Sequence, residues 1–259
     1  MTTWMKTQTF FRRPIYVAME DEGVSSSIIH TGGWESHIEK YIIENMPVDG
    51  VFLDVGANLG FFSLLAANKM QEDRSSGRVI AVEANPIVLP YLMASIVESG
   101  LEHRIDVVPY AASDNSIGFV QMQENFGNNL GGVPMKDVTF FVPSKDRRLV
   151  PTVELDEILV DLTRLDLVKM DIEGAEPKAI AGMADLIERF SPDIIMEINA
   201  DCLRGVSGMS VAAMVEQMEF HGYKPYTFRY DVEPVTKEQV VEIVSAHNYY
   251  DFLFSKKMG

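Results

Sequence analysis

Val51-Phe-Leu-Asp-Val-Gly-Ala-Asn-Leu-Gly60 decides how the rest of the chain is read. Val51 to Val55 is a short apolar run carrying one acid, Asp54, and reads as a buried strand. Gly56 to Gly60 is a turn, and Phe61 to Met70 has the composition of a helix. Strand, glycine turn and helix open a nucleotide-cofactor unit. Glycines let backbone approach a ligand where a side chain would block it. The helix N-terminus brings free N–H groups to the same place.

The turn discriminates between cofactors. A dinucleotide site carries G-x-G-x-x-G with the pyrophosphate on the helix N-terminus. Here the spacing is G-x-x-x-G, and the Asp54 carboxylate would repel a pyrophosphate. It suits a cofactor with a cationic amino-acid portion, such as S-adenosylmethionine. The next apolar run, Arg78 to Glu83, ends in a second acid able to accept hydrogen bonds from two ribose hydroxyls. A third strand at Ile105 to Pro109 is followed by Tyr110-Ala-Ala-Ser-Asp114, where small side chains leave room for a flat ring.

With 259 residues, 47% hydrophobic and 23% charged, the chain has the composition of a folded soluble protein. No apolar run reaches membrane-spanning length, and Glu20, Asp21 and Glu22 argue against a secretory signal. The single cysteine, Cys202, makes no internal disulfide and fits a cytoplasmic setting as an inert thiol. A net charge of −16 disfavours nucleic acid and favours a small-molecule acceptor. The one basic cluster, Lys145 to Arg148, reads as a solvated loop.

Outward from the opening motif, strands and helices alternate. Met1 to Ser27 shows no period, but Trp4, Phe10, Phe11 and Tyr16 suggest a segment packed on the body. Ser36 to Met46 reads as a helix, so residues 1–47 form an N-terminal segment and helix on a 48–259 domain. Asn85 and Pro86 look like the N-cap and first residue of the next helix. Residues 117–153 break the alternation with β-prone pieces around Asn125 to Gly132, and read as an insertion serving as a substrate lid. Strands at Leu165 to Asp171 and Asp193 to Asn199 follow, then Tyr223 to Tyr230 and Tyr249 to Ser255 around a helix at Lys237 to Ala246. The result is an α/β doubly wound sheet, in which ligands bind at the carboxyl ends of strands. Asp54, Glu83, Asp171, Glu197 and Asn199 all fall at such ends.

Asp54 to Gly60, Ala81-Val-Glu-Ala-Asn-Pro86 and Leu167-Val-Lys-Met-Asp-Ile-Glu-Gly-Ala-Glu176 resemble the FkbM family of methyltransferases, as do Gly33-Trp-Glu35 and Pro192 to Glu197. The resemblance covers roughly Gly32 to Phe254; the K-x-D-x-E-G-x-E string is its most specific part. Glu83-Ala-Asn-Pro86 stands where Glu-Pro-Asn-Pro is commoner in the family, and nothing in Met1 to Thr31 matches. The resemblance implies a Rossmann-like class I methyltransferase fold, with a seven-stranded sheet whose last strand is antiparallel. It implies an S-adenosylmethionine-dependent transferase that O-methylates a hydroxyl on a sugar or small natural product. N-methylation of an amine or peptide, or a non-catalytic cofactor-binding module, are the alternatives. An NAD-dependent oxidoreductase is disfavoured by Asp54 and the glycine spacing.

The expected cofactor contacts are Asp54, Gly56, Asn58, Gly60, Glu83, Ala84, Ala111 and Asp171. Asp171 is expected to organise the active site, and Glu173 to orient the acceptor or remove its proton. Lys169 reads as the partner of a strand-end acid and Glu176 as an acid complementing a helix dipole. His37 reads as a surface helix histidine before a base. No metal is expected; a cation held by Asp171, Glu197 and Asn199 is the alternative.

Overall fold

The computed structural model describes residues 2–72, 76–123, 135–137 and 147–258. Seven strands carry the central sheet: β1 Val51–Val55, β2 Arg78–Val82, β3 Ile105–Val108, β4 Leu167–Met170, β5 Asp193–Asn199, β6 Lys224–Thr227 and β7 Tyr249–Ser255. Their order across the sheet is 3-2-1-4-5-7-6. Strands β1 to β5 pair in parallel, and β7 runs antiparallel to both β5 and β6. The seven-stranded arrangement expected from sequence is present. The two-residue strand Glu233–Pro234 extends it to eight by pairing with Tyr226 and Thr227.

The near-continuous apolar strands follow from coverage on both faces. Phe52, Val79, Ala81, Leu167 and Ile195 pack with the helices Ser36–Asn45, Phe61–Glu72 and Leu89–Glu98. Their neighbours Leu53, Val55, Ile80, Val82, Val168 and Ile194 face the helices Glu176–Ala181, Ala184–Phe190, Val211–Phe220 and Lys237–His247. The period of two along each strand therefore sorts residues into two cores. Strand order reverses between β1 and β4, so their carboxyl ends open a crevice there.

The aperiodic N-terminal stretch is a hairpin, Trp4–Gln8 with Pro14–Ala18, followed by a helix at Val24–Thr31. Trp4 stacks on Tyr91 at 3.5 Å between centroids. The Arg13 guanidinium donates to Asn68 Oδ1 (2.6 Å), the Ser99 carbonyl (3.0 Å) and Gln71 Oε1 (2.9 Å), tying the hairpin to two helices.

One expected helix start moves. Asn85 Oδ1 accepts from the Ile87 N–H in a side-chain turn, and the helix runs Leu89–Glu98. Pro90 has no N–H to give the carbonyl of residue 86, so the helical ladder is not continuous until past it. The insertion pairs into its own sheet: Ala111–Ala112, Arg147–Val153, Phe119–Gln123 and Met135–Asp137, in that order. Arg147 and Arg148, expected in a loop, lie in a strand of it. Lys145, Asp146 and the loop Asn125 to Gly132 read as a lid lie outside the described residues.

Candidate functional site

A cavity of about 510 Å³ opens at the carboxyl ends of β1, β2, β4 and β5. That size suits a small-molecule site. Its first wall is the glycine turn. The N–H groups of Gly56 and Ala57 both donate to the Val82 carbonyl, at 2.9 and 3.0 Å. Gly56 has φ +84°, and a Cβ there would sit 2.0 Å from the Asp171 carbonyl oxygen. Glycine is thus required for β1 and β4 to close on each other as they leave the sheet.

Glu83 holds the turn from the β2 side. One carboxylate oxygen accepts from the Asn58 N–H and the other from the Asn85 N–H, both at 2.6 Å. Burial pushes its carboxyl upward, opposed by those backbone N–H groups. A carboxylate has about four acceptor positions, so capacity remains for ligand hydroxyls. Ala84, Ala111 and Ala112 continue the wall with methyl groups only. Val120 of the inserted sheet also lines it, in a small cluster with Met122 and Val150.

The opposite wall is acidic. Asp171, Glu173, Glu197 and Glu35 line it with Lys169 and Arg229. Lys169 Nζ lies 3.0 Å from Asp171 Oδ2, the pairing expected from sequence. Burial works against its charge, but Asp171, Asp54 and Glu35 together raise the ammonium above its ordinary value. Glu173 stands in the left-handed region at φ +53°, and Cys202 donates its S–H to Glu173 Oε2 at 3.1 Å. Burial, then the Glu173 bond, pushes that thiol upward, in keeping with an inert cysteine. Glu176 opens the helix Glu176–Ala181, as expected, and is buried there: its Oε1 accepts from the Ile172 and Gly174 N–H groups, both at 3.1 Å. Burial raises its carboxyl to about 7.

Gly56, Asn58, Glu83, Ala84, Ala111, Asp171 and Glu173 therefore surround one cavity. Asp54 and Gly60 do not line it. Asp54 is 1% exposed beneath the turn, where Ser63 Oγ donates to its Oδ2 at 2.6 Å and Oδ1 has no partner among the described residues. Gly60 instead packs against Leu92, which a Cβ would meet at 2.3 Å.

Three further residues depart from expectation. His37 is not a surface histidine: its side chain is 12% exposed, and Nε2 lies 2.8 Å from Asp251 Oδ2. Glu35, met in the sequence only as part of Gly33-Trp-Glu35, lines the cavity, and burial pushes its carboxyl upward. Asn199 spends its side-chain oxygen on the Asp201 and Cys202 N–H groups as a helix N-cap, at 3.1 and 3.2 Å, so it does not complete a cation site with Asp171 and Glu197. The carboxylates instead form two overlapping triads, Asp171–Glu173–Glu197 and Glu35–Glu197–Asp251, each with its oxygens within 4.8 Å of one another. An adenosyl group with a cationic tail fits this arrangement: methyl-lined wall and free Glu83 acceptor positions at one end, excess negative charge at the other.

The chain is similar to known proteins. Residues 54–225 match the family model described as the methyltransferase FkbM domain. Among solved structures, precorrin-6y C5,15-methyltransferase from Geobacter metallireducens is similar at 17% identity over 90% of this chain and 93% of its own, with TM-score 0.48. Methyltransferase FkbM from Methylobacillus flagellatus is similar at 20% identity over 80% of this chain and 44% of its own, with TM-score 0.46. Methanocaldococcus jannaschii Trm5, solved in complex with adenosine, is similar at 12% identity over 98% of this chain and 55% of its own, with TM-score 0.45. No curated protein matches the chain in sequence. Among the described residues, no helix is long and apolar enough to cross a membrane.

Proposed function

The chain belongs to the FkbM methyltransferase family, and from that premise we propose that this S-adenosylmethionine-dependent enzyme O-methylates a hydroxyl of a sugar or small natural product. The observation that carries the reading is the two-ended cavity, methyl-lined at Ala84, Ala111 and Ala112 and acidic at Asp171, Glu173 and Glu197. S-adenosylmethionine supplies an electrophilic methyl group on a sulfonium. Glu83 accepts the ribose hydroxyls, Gly56 and Asn58 bring backbone against the cofactor, and Ala84 and Ala111 flank the adenine. Asp54 contributes negative charge from beneath the turn. Asp171, fixed by Lys169, organises the sulfonium end, and Glu173 orients the acceptor. Methyl transfer is chiefly a positioning problem, and a rigid strand-end constellation supplies it. The N-terminal residues 1–47 complete the acceptor side of the 48–259 domain through Val24, Trp34, Glu35 and His37, all of which line the cavity.

A second reading, N-methylation of an amine, is favoured by the carboxylate excess, which would attract a cationic acceptor. Calorimetric titration with S-adenosylhomocysteine, beside Glu83→Ala, tests the cofactor site. Losing a charged acceptor should weaken binding about tenfold or more. Radiolabelled methyl transfer to a monosaccharide panel and an amine panel then separates the acceptors. Wild type that does not bind the product, or binds it equally well without Glu83, would refute the assignment of this pocket.

A further inference from the structure

Two hollows meet at Glu35. It lines the main cavity near Asp171 and Glu197. It also lines a more open hollow of about 710 Å³, walled by Phe10, Trp34, Arg229 and Tyr230. Its backbone is in the left-handed region, φ 50°, at the start of the helix Ser36–Asn45, and its carbonyl accepts from Ile38. The side chain is therefore presented from a fixed point. Its Oε2 is buried and has no hydrogen-bond partner among the described residues. A buried acceptor left so is costly unless it carries a proton or meets a ligand.

Glu197 supplies the second half. The β5–β7 register sets it directly opposite Asp251, and the oxygens of Glu35, Glu197 and Asp251 lie within 4.8 Å of one another. Like charges opposite each other on neighbouring strands repel. Asp251 is matched by His37 at 2.8 Å and Arg229 at 3.9 Å, and Asp171 by Lys169 at 3.0 Å. Those pairings leave Glu35 and Glu197 to face each other. Two buried carboxylates within 4.8 Å of each other resist ionising together, which favours a proton on the pair.

We propose that Glu35 and Glu197 hold one proton between them at the junction of the two hollows, and that this pair takes the acceptor's hydroxyl proton. The acceptor O–H bond breaks, its electron pair stays on the oxygen that receives the methyl group, and the pair passes from one proton to two. The inference rests on the hydroxyl-methyltransferase reading above and places proton removal on Glu35–Glu197 rather than on Glu173. The surrounding charges agree. Burial raises both carboxyls, reinforced chiefly by Asp251 at Glu35 and by Asp171 at Glu197, with Glu173 adding to the latter. Lys169 and Arg229 oppose the rise at Glu35.

The test is a carbon-13 NMR pH titration of glutamate side-chain carboxyls in the full chain, in wild type, Glu35→Gln and Glu197→Gln. Two coupled titrations above the ordinary glutamate range are expected, and either substitution should lower the survivor's midpoint by about one pH unit or more. A survivor whose titration does not change overturns the pairing, as do wild-type carboxyls titrating in the ordinary range. Millimolar Mg²⁺ or Mn²⁺ that drives the shared proton off at neutral pH would make this a cation site instead and overturn the proposal. A far-ultraviolet circular dichroism spectrum and a cooperative thermal melt like those of wild type in both variants show that the fold is kept. On any panel sugar that wild type methylates, Glu35→Gln should be about a hundredfold slower or worse; an undiminished rate overturns the role. Wild type that binds S-adenosylhomocysteine but methylates no sugar sinks the sugar reading, while the titration still decides the pair.

Discussion

Lys169→Met is the most informative single change in the core of the site. The lysine is buried in mid-strand, 3.0 Å from Asp171 Oδ2, with Nζ 5.4 Å from the centre of the Phe62 ring. At that separation an effective dielectric near 20 gives about 5 kcal/mol of attraction to Asp171. Desolvation of the ammonium offsets part of it, but removing one partner strands the acids it serves, at about 3–5 kcal/mol. For a chain of this size that corresponds to a melting-point loss of roughly 6–20 °C. The loss should depend on pH in a definite direction. Without the cation, the folded-state carboxyls Asp54 and Glu35 rise further above their unfolded values, so the folded variant binds more protons than the unfolded chain. Stability then falls as pH rises. Thermal melts at pH 5 and pH 8 should show the larger deficit at pH 8. A deficit below about 1 kcal/mol, or one equal at both pH values, would refute the claim that Lys169 neutralises this wall.

Gly56→Ala places a methyl 2.0 Å from the Asp171 carbonyl oxygen at φ +84°. It should cost about 2–5 kcal/mol in denaturant unfolding and weaken S-adenosylhomocysteine binding in calorimetry. Glu176→Gln removes a buried acid whose carboxyl is raised to about 7 from 4.5. Wild type should lose about 3 kcal/mol relative to the variant as pH climbs from 4.5 to 7, because the folded state holds the proton and the unfolded state does not; parallel stability curves would contradict this. Trp4→Ala unstacks the hairpin from Tyr91 and should cost about 1–3 kcal/mol. Trp4 is absent from the cavity wall, so product affinity should stay within about twofold in the same calorimetry.

The legible parts of this protein are those whose meaning is local. Val51 to Gly60 declares strand and turn within ten consecutive residues, and the helix follows at Phe61. Glu83 follows an apolar run of four, and both ends of Val211–Phe220 can be read from Ser210 and Gly222. The hairpin was not legible, because Trp4–Gln8 is a short ribbon of half-buried and exposed residues with no dry face to impose alternation. His37 reads as a surface residue within its own helix. What buries it is Phe228, 5.3 Å between ring centres, and Asp251, some two hundred residues away. Asn199 offered a strand-end amide to a ligand until the following helix was seen to use it as a cap.

The acidic wall shows why the missing information concerned chemistry rather than fold. Glu197 and Asp251 are unremarkable strand acids until β7 is laid antiparallel between β5 and β6, which sets them side by side. Glu35 joins them only because the helix Ser36–Asn45 docks over the same sheet edge, against Phe228 through Tyr41. Each acid alone would be solvated and ordinary. Convergence at the carboxyl ends of parallel strands makes them buried neighbours, and burial raises the carboxyls of Glu35 and Glu197. The same topology that opens a crevice for a cofactor at β1 and β4 thus assembles, one strand over, carboxyl groups that favour holding protons near neutral pH. A sheet built this way concentrates its electrostatic cost where a proton must move, and Lys169, Arg229 and the His37 ring are the groups positioned to limit that cost.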